Sequence, residues 1–409
     1  MGHHQPVDLS LLGLILAVAT LTAMLSRRIG MPYSAGLVIA GFVLALTPIG
    51  ADLHLTPEII MQVFLPPLIF EAAIQIRWQP FRREFPLLLM LVTIGVLLAA
   101  ALVAVAMHMI VGWGWLAAAF FGVLIAATDP VSVIAMFKEI KVPDRLHLLV
   151  EAESLLNDGV AALGFAILLG IAAGGGAGPG DVGLALVRIA VGGTLCGVAV
   201  GWLCLFVAGR TEDPLIEISL TMIAAYSSFL LAEHFHMSGV LATLAAGILV
   251  GNFGRLGALS SARTPMLLHF WEFAAFLANS FVFILIGDAE ATPALWAAVP
   301  VAIVATLAAL AGRAVTVYPC SLAFARTQLA VPWKYKHVLF WGGLRGALAL
   351  ALALALPADL ANRDEVVSAA FLVVAFSIFV QGLSMPWLVR KLGLVQETAE
   401  QDCETKDCL

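Results

Sequence analysis

The chain has 409 residues, 62% of them hydrophobic and only 12% charged, with a mean hydropathy of +1.02. A soluble domain carries about 25% charged residues, so this composition excludes one and no nucleic-acid partner is expected; the net charge of −6 says little, because placement of charge matters more than its sum. Apolar stretches of about 20 residues, the length of a bilayer-spanning helix, recur from end to end, and they are continuous rather than the alternating segments of about ten residues that a β-barrel shows.

The expected fold is an all-α polytopic membrane protein with thirteen transmembrane helices in the lipid bilayer. In chain order the apolar segments are 8–26, 31–49, 56–75, 85–111, 114–137, 146–172, 182–208, 214–233, 237–253, 265–287, 292–324, 337–357 and 366–389. Glycine, proline and charge punctuate the gaps. "GGGAGPGD" at 174–181 reads as a flexible turn and "LPADLANRDE" at 356–365 as a polar loop, while Arg313 interrupts the 292–324 segment. No basic stretch precedes the first segment, which reads as a retained helix rather than a cleaved signal. Cys196, Cys204, Cys320, Cys403 and Cys408 lack paired or metal-binding spacing, and an odd count argues against a disulfide framework. The ending Asp407-Cys408-Leu409 is not a prenylation box.

Lysine and arginine set the orientation. One set of alternate gaps holds Arg27, Arg28, Arg77, Arg82, Arg83, Lys138, Lys141, Arg145, Arg210, Arg255, Arg263, Arg326, Lys334, Lys336, Arg390, Lys391 and Lys406; the other holds only Arg363. This asymmetry places the first set in the cytoplasm, with the N-terminus outside, the C-terminus inside, and His234 and His236 in a solvated outer loop. Thirteen helices divide as six, one and six. Helices 1–6 and 8–13 are then offset by an odd number, which inverts the two halves in the membrane. Helix 5 is interrupted at Asp129-Pro130 and its counterpart, helix 12, at "GGLRGA", 342–347. Discontinuous helices in matching positions point to a midplane binding site.

Pro130 has no N–H, so the carbonyl of Ala126 loses its helical partner, and Asp129 is pushed away from helical geometry. Free carbonyls at membrane depth must face protein, water or an ion. Carbonyls, a carboxylate and a hydroxyl together make a hard-oxygen cage suited to an alkali cation; the plainer reading is a proline kink with Asp129 as a local cap. In "EAESLLND", residues 151–158, the helical period puts Glu151, Ser154 and Asp158 on one stripe and Glu153 and Asn157 on nearly the opposite one. Such groups cannot face lipid, where each charge costs at least about 2.5 kcal/mol. Asp158 is the deepest and the prime functional carboxylate, whereas Glu151 is either buried or an entrance charge. Arg345, in "WGGLRGALALALALAL", requires a buried carboxylate, and Glu153 is the expected partner because Asp129 and Asp158 would otherwise be lost as cation ligands. Glu71 reads either as a snorkelling end charge or as an outer cation ligand. Glu272 and Arg188 are expected to be buried polar groups without an assigned role.

"TDP" on one helix, "ESLLND" on the next and "GLRGALALAL" near the end resemble the monovalent cation/proton antiporters, in the NhaP-type sodium/proton exchanger branch. The likeness covers essentially the whole chain. It implies a secondary transporter rather than an enzyme, exchanging sodium or lithium for protons in the cell membrane, with no cofactor beyond the transported ions. Asp158 would be the shared cation and proton carboxylate. Thr128 would supply its main-chain carbonyl and Ser154 its hydroxyl, and Asp129 and Glu71 would complete the sodium site, partly through water. Glu153 and Arg345 would form a structural ion pair, and Asn157 would steady the crossing of helices 5 and 12. The resemblance also implies a homodimer, with helices 1–3 and 7–10 as scaffold, helices 4–6 and 11–13 as the ion-binding core, and a short cytoplasmic tail at 390–409. Electrogenic relatives carry two adjacent acids where this chain has Asn157-Asp158, so electroneutral exchange is expected. An intramembrane aspartyl hydrolase using Asp129 and Asp158 is the rival of another class, but neither acid has the Gly-x-Gly-Asp setting of such enzymes. A passive channel would need a pore-lining ring instead of one compact carboxylate site. Potassium in place of sodium stays open, because size selection rests on cavity geometry.

Overall fold

The computed structural model describes residues 9–29, 32–45, 59–174, 179–211, 213–253, 264–288 and 297–396. The helices in chain order are α1 (Leu9–Ile29), α2 (Tyr33–Ala45), α3 (Ile60–Gln75), α4 (Trp78–Val111), α5a (Trp115–Ala126), α5b (Val131–Ile140), α6 (Asp144–Ala172), α7 (Pro179–Ala208), α8 (Pro214–His234), α9 (Gly239–Phe253), α10 (Thr264–Asp288), α11 (Val299–Ala323), α12a (Trp333–Trp341), α12b (Ala347–Leu354) and α13 (Arg363–Lys391). With each a/b pair taken as one crossing, these follow the thirteen apolar segments in order. Both expected discontinuities are present, each in the fifth helix of its six. Arg313 causes no interruption; it lies within the continuous α11. The turn at 175–178, Arg255, Arg263, and residues 397–409 with Cys403, Lys406 and Cys408 lie outside the described residues.

Local chemistry accounts for several boundaries. Asp213 caps α8 by accepting the Leu215 N–H at 2.8 Å, and Pro214 follows at the first helical position, where its missing N–H costs nothing. Arg363, at the start of α13, donates to the Leu354 and Leu356 carbonyls and so closes the end of α12b. A π-helical turn, Ser377–Gly382, interrupts α13.

The helices pack in two groups. In the first, α2 lies on α10, α3 on α9 and α10, and α7 on α8 and α9. In the second, α4 lies between α5a and α11, and α13 covers α11 and α12b. α6 touches both, reaching α3, α7 and α9. Large apolar side chains on the outer faces of α1, α4, α7 and α11, among them Leu21, Leu97, Leu195 and Leu307, are exposed, as a lipid-facing surface requires.

Burial in lipid provides no hydrophobic drive between helices, so close seams depend on small residues. Gly193, Gly197 and Gly201 recur every four residues on α7 and meet Ser238, Ala242 and Ala246, which have the same spacing at and along α9. A Cβ at Gly197 would strike the Ala242 backbone, whereas one at Gly183, on the same helix, meets nothing within 4 Å. Overpacking of this kind costs about 1–3 kcal/mol. Gly197→Ala is therefore expected to lower the melting temperature of the purified protein in detergent. Gly183→Ala should leave it unchanged or slightly raised.

Candidate functional site

The two broken helices meet at the centre of the second group. Pro130 frees the end of α5a, and the carbonyls of Ala126 and Ala127 both accept from Arg345 Nη1, at 3.1 and 3.2 Å. The Asp129 N–H donates to the Leu344 carbonyl at 2.8 Å, which ties one break to the other through main chain alone. α12 breaks at its glycines. Gly346 is extended, and a Cβ there would overlap the Asp129 side chain, so only glycine allows the two breaks to approach this closely.

The π-helical turn of α13 satisfies much of the backbone that α12 exposes. Ser377 Oγ accepts the Arg345 N–H at 3.0 Å, and Gln381 Nε2 donates to the Trp341 carbonyl at 3.1 Å. Arg313 donates from Nε and Nη2 to the Leu339 carbonyl in the last turn of α12a, at 3.2 and 2.8 Å.

Four half-helix ends thus converge, and charge is sorted among them. Carbonyl ends carry partial negative charge and N–H ends partial positive charge. Arg345 sits at the carbonyl end of α5a and Arg313 at that of α12a. Asp129 sits at the N–H ends of both other halves: its Oδ1 accepts the Val131 N–H of α5b at 2.9 Å, and the Ala347 N–H of α12b lies against the same carboxyl group. The local-cap reading of Asp129 is thus part of the arrangement, extended to two helices at once.

α6 crosses beside this point. Glu153 receives a two-pronged ion pair from Arg313, with Nη2 to Oε2 at 2.6 Å and Nη1 to Oε1. Asn157 Nδ2 donates to Glu153 Oε1 at 2.8 Å and to Thr128 Oγ1 at 3.0 Å, and Thr128 Oγ1 donates to Ser154 Oγ at 3.2 Å. The Thr128 N–H lies against the Asp158 carboxyl group. Glu151 and Asp158, on the other stripe of α6, line a cavity of about 260 Å³ together with Thr128, Asp129 and Glu71. The same cavity reaches Lys138 and Glu272, which pair at 3.7 Å with both side chains about half exposed (47% and 48%). That end is its mouth.

Most of the expected residues are therefore gathered here, with three differences. The Glu153–Arg345 pair does not form: α11 runs beside α12a and brings Arg313 to Glu153, while Arg345 is drawn to the freed carbonyls of α5a. Ser154 is buried behind Thr128 and is not among the cavity-lining residues. Glu272 and Arg188 are exposed rather than buried. Glu71 accepts from Gln75 Nε2 on the cavity wall, and Glu151 lies 3.7 Å from His147. Arg313 is the major residue that sequence reasoning missed. An arginine within an apolar run is a functional candidate by its cost alone, and Arg313 meets that test as well as Arg345 does.

Paired broken helices around a carboxylate-lined midplane cavity define a secondary ion transporter of the inverted-repeat plan. Residues 13–391 match the profile of the family described as "Sodium/hydrogen exchanger, transmembrane", and the chain belongs to that family. It is 38% identical over 397 residues to the Na(+)/H(+) antiporter ApNhaP of Aphanothece halophytica, a match covering 96% of this chain and 76% of that protein. It is 31% identical over 401 residues to the Na(+)/H(+) antiporter NhaH of Halobacillus dabanensis, covering 93% and 97%. The fold is shared with the sodium proton antiporter MjNhaP1 of Methanocaldococcus jannaschii, with a TM-score of 0.76 at 19% identity over 95% of this chain and 99% of that one.

Removing one member of a buried ion pair strands the other, at a cost of about 3–5 kcal/mol. Arg313→Ala should melt well below the native protein in a detergent thermal-shift assay. The double variant Glu153→Leu/Arg313→Met should recover most of that loss, because neither charge remains to be stranded.

Proposed function

We propose that this protein exchanges one sodium or lithium ion for one proton, with cation and proton competing for the Asp158 carboxylate. The observation that carries this reading is the separate position of Asp158. It lines the cavity, yet among the described residues it enters no ion pair, while Glu153 is committed to Arg313. An ionised Asp158, with Asp129 and Thr128 beside it, offers hard oxygen to an alkali cation. A proton on Asp158 removes that charge and releases the ion. The names of the relatives, Na(+)/H(+) antiporters, support the choice of ions.

The charge balance at the crossing supports one-for-one exchange. Arg313 and Arg345 contribute two positive charges; Glu153 and Asp129, the latter set at two helix N-termini, are the two acids that balance them. Asn157 cannot carry a proton. Asp158 is then the group whose occupancy changes, and the carrier has the same charge with sodium as with a proton.

In this reading the N-terminus lies outside and the C-terminus in the cytoplasm of the cell membrane, which the basic residues at the helix ends support, and the cavity mouth at Lys138 faces inward. α1–α3 with α7–α10 form the scaffold of a homodimer, against which α4–α6 and α11–α13 move to expose Asp158 to each side in turn. A half-exposed pair such as Lys138–Glu272 contributes at most about 1 kcal/mol, weak enough to break in every cycle.

Asp158→Asn should fold normally and lose exchange in everted vesicles assayed side by side with sodium, lithium and potassium; native-like exchange by that variant would end this mechanism. In the native protein the apparent sodium KM should rise by about tenfold per pH unit below the Asp158 pKa, as one-proton competition requires. Voltage gives a further check. One net charge per cycle would feel about 2.3 kcal/mol per 100 mV, a shift of roughly fifty-fold in the equilibrium sodium ratio. Proteoliposomes with a fixed pH gradient should instead reach the same ratio at 0 and 100 mV.

A further inference from the structure

The chain passes between the two packing groups three times, after α3, after α6 and after α10. The passages after α6 and α10 include residues outside those described, whereas the one after α3 is described in full. It is only two residues long. Ile76 and Arg77 are both extended, with ψ of 122° and 124°. Helix ends leave carbonyls and N–H groups without intrahelical partners, and Arg77, which precedes α4, supplies no side-chain cap. One side chain from a third helix serves both ends. Asn252, at the end of α9, accepts the Trp78 N–H on Oδ1 at 2.8 Å and donates from Nδ2 to the Ile76 carbonyl at 2.8 Å. Nδ2 also donates to the Ile248 carbonyl of its own helix at 2.7 Å. The amide thus uses its acceptor and both donors, and turning it over would set like against like at every contact. α9 reaches the link because Gly247 and Gly251 press directly on α3, at Ala73 and Ile74. Further along, α4 is tied to the other group. Glu84 pairs with Arg145 of α6 at 2.8 and 3.0 Å, and the same guanidinium donates to the Leu329 and Ala330 carbonyls before α12a, at 3.1 and 3.0 Å.

We propose that Asn252 is a positioning residue for exchange: it pins the start of α4 to the scaffold and makes that point the fulcrum on which the ion-binding core turns. The proposal rests on the reading that the two groups move against each other. Hinges are short stretches at element ends that absorb the change in backbone angles. This one is bounded on both sides, by Asn252 on the scaffold and by the Glu84–Arg145 pair on the core. A hydrogen bond holds distance more tightly than angle, so the amide keeps α4 in place while leaving its direction free. Without the pin, α4 leaves α3 through an extended link that nothing holds to α9. The core can then shift as well as turn, and fewer of its excursions carry Asp158 from one side to the other. Asn252 is not among the residues that line the cavity, so the ion site itself is untouched by its loss.

The test is the maximal exchange rate of the full-length protein in proteoliposomes, divided by the number of copies that bind radioactive sodium. Asn252→Ala should cut this rate per copy by roughly tenfold, which corresponds to the loss of about one hydrogen bond in the crossing step. Its sodium affinity should stay native. A residue that served packing alone would lower the number of binding copies and leave the rate per copy unchanged; that outcome, like a native rate, would overturn the proposal. The clasp can also be opened from its other partner. Trp78→Pro removes the N–H at the first position of α4, where proline is tolerated, and should be several-fold slower per copy than Trp78→Ala, which keeps the N–H. Equal rates for those two would overturn the proposal, also where Asn252→Ala does not fold. Failure of both Asn252→Ala and Trp78→Pro to fold would assign the clasp to assembly and likewise overturn it. Undiminished exchange by a Lys138→Cys/Glu272→Cys protein cross-linked across the cavity mouth would instead remove the moving-group reading itself.

Discussion

Everything at the centre of this protein follows from one constraint: a backbone that leaves helical geometry at membrane depth has no water to bond. Two helices break at the same place, so the unpaired carbonyls of two ends and the unpaired N–H groups of two others must be satisfied by protein. The carbonyl ends receive guanidinium groups from Arg313 and Arg345, and the N–H ends share Asp129. Arginine suits the task because its planar fork can bond two acceptors at once. Arg313 uses the fork on Glu153 and still reaches the Leu339 carbonyl. The remaining gaps are closed by Ser377 and Gln381, presented by the π-helical turn of α13. The cost of breaking two helices is thus distributed over five elements.

This arrangement also explains why two neighbouring carboxylates have different tasks. Glu153 and Asp158 are five residues apart on α6, so the helical period turns them to different faces. One is locked to a guanidinium and holds α11, α12a and α6 together. The other faces the cavity with a backbone N–H beside it and no ion pair. Asn157 belongs with the first: it bonds both Glu153 and Thr128 and so ties the fixed pair to the break in α5. The two carboxylates of α6 are little more than one helical turn apart, and Asp129, at the helix breaks, borders both the scaffold and the cavity.

Much of this was legible in the sequence because the membrane restricts the choices. Thirteen segments could be numbered because lysine and arginine alternate from gap to gap. The breaks could be placed because Pro130 and the glycines at 342, 343 and 346 each remove a helical option. The two stripes of "ESLLND" follow from the helical period. The identity of Glu153's partner did not follow, because it depends on which helix lies beside α12a, a fact of tertiary packing. The rotation of the Ser154 hydroxyl toward Thr128 is equally local. Glu272 and Arg188 lie in apolar runs, but hydropathy averages over all faces of a helix and cannot tell which one a residue occupies. Ser377 and Gln381 are ordinary polar residues in sequence, and only the gaps they close give them weight.

The seam between α7 and α9 carries a consequence of a different kind. Along it, an added carbon at Gly193 or Gly197 would strike the backbone of Ser238 or Ala242, and one at Gly201 would press on Leu249 and Ala246. None of these three glycines lines the ion cavity, and they carry no chemistry. A cavity wall tolerates exchanges of similar polarity, whereas at Gly193 and Gly197 even one added carbon forces the helices apart. Replacements there would lower the amount of assembled protein while leaving each assembled copy able to transport.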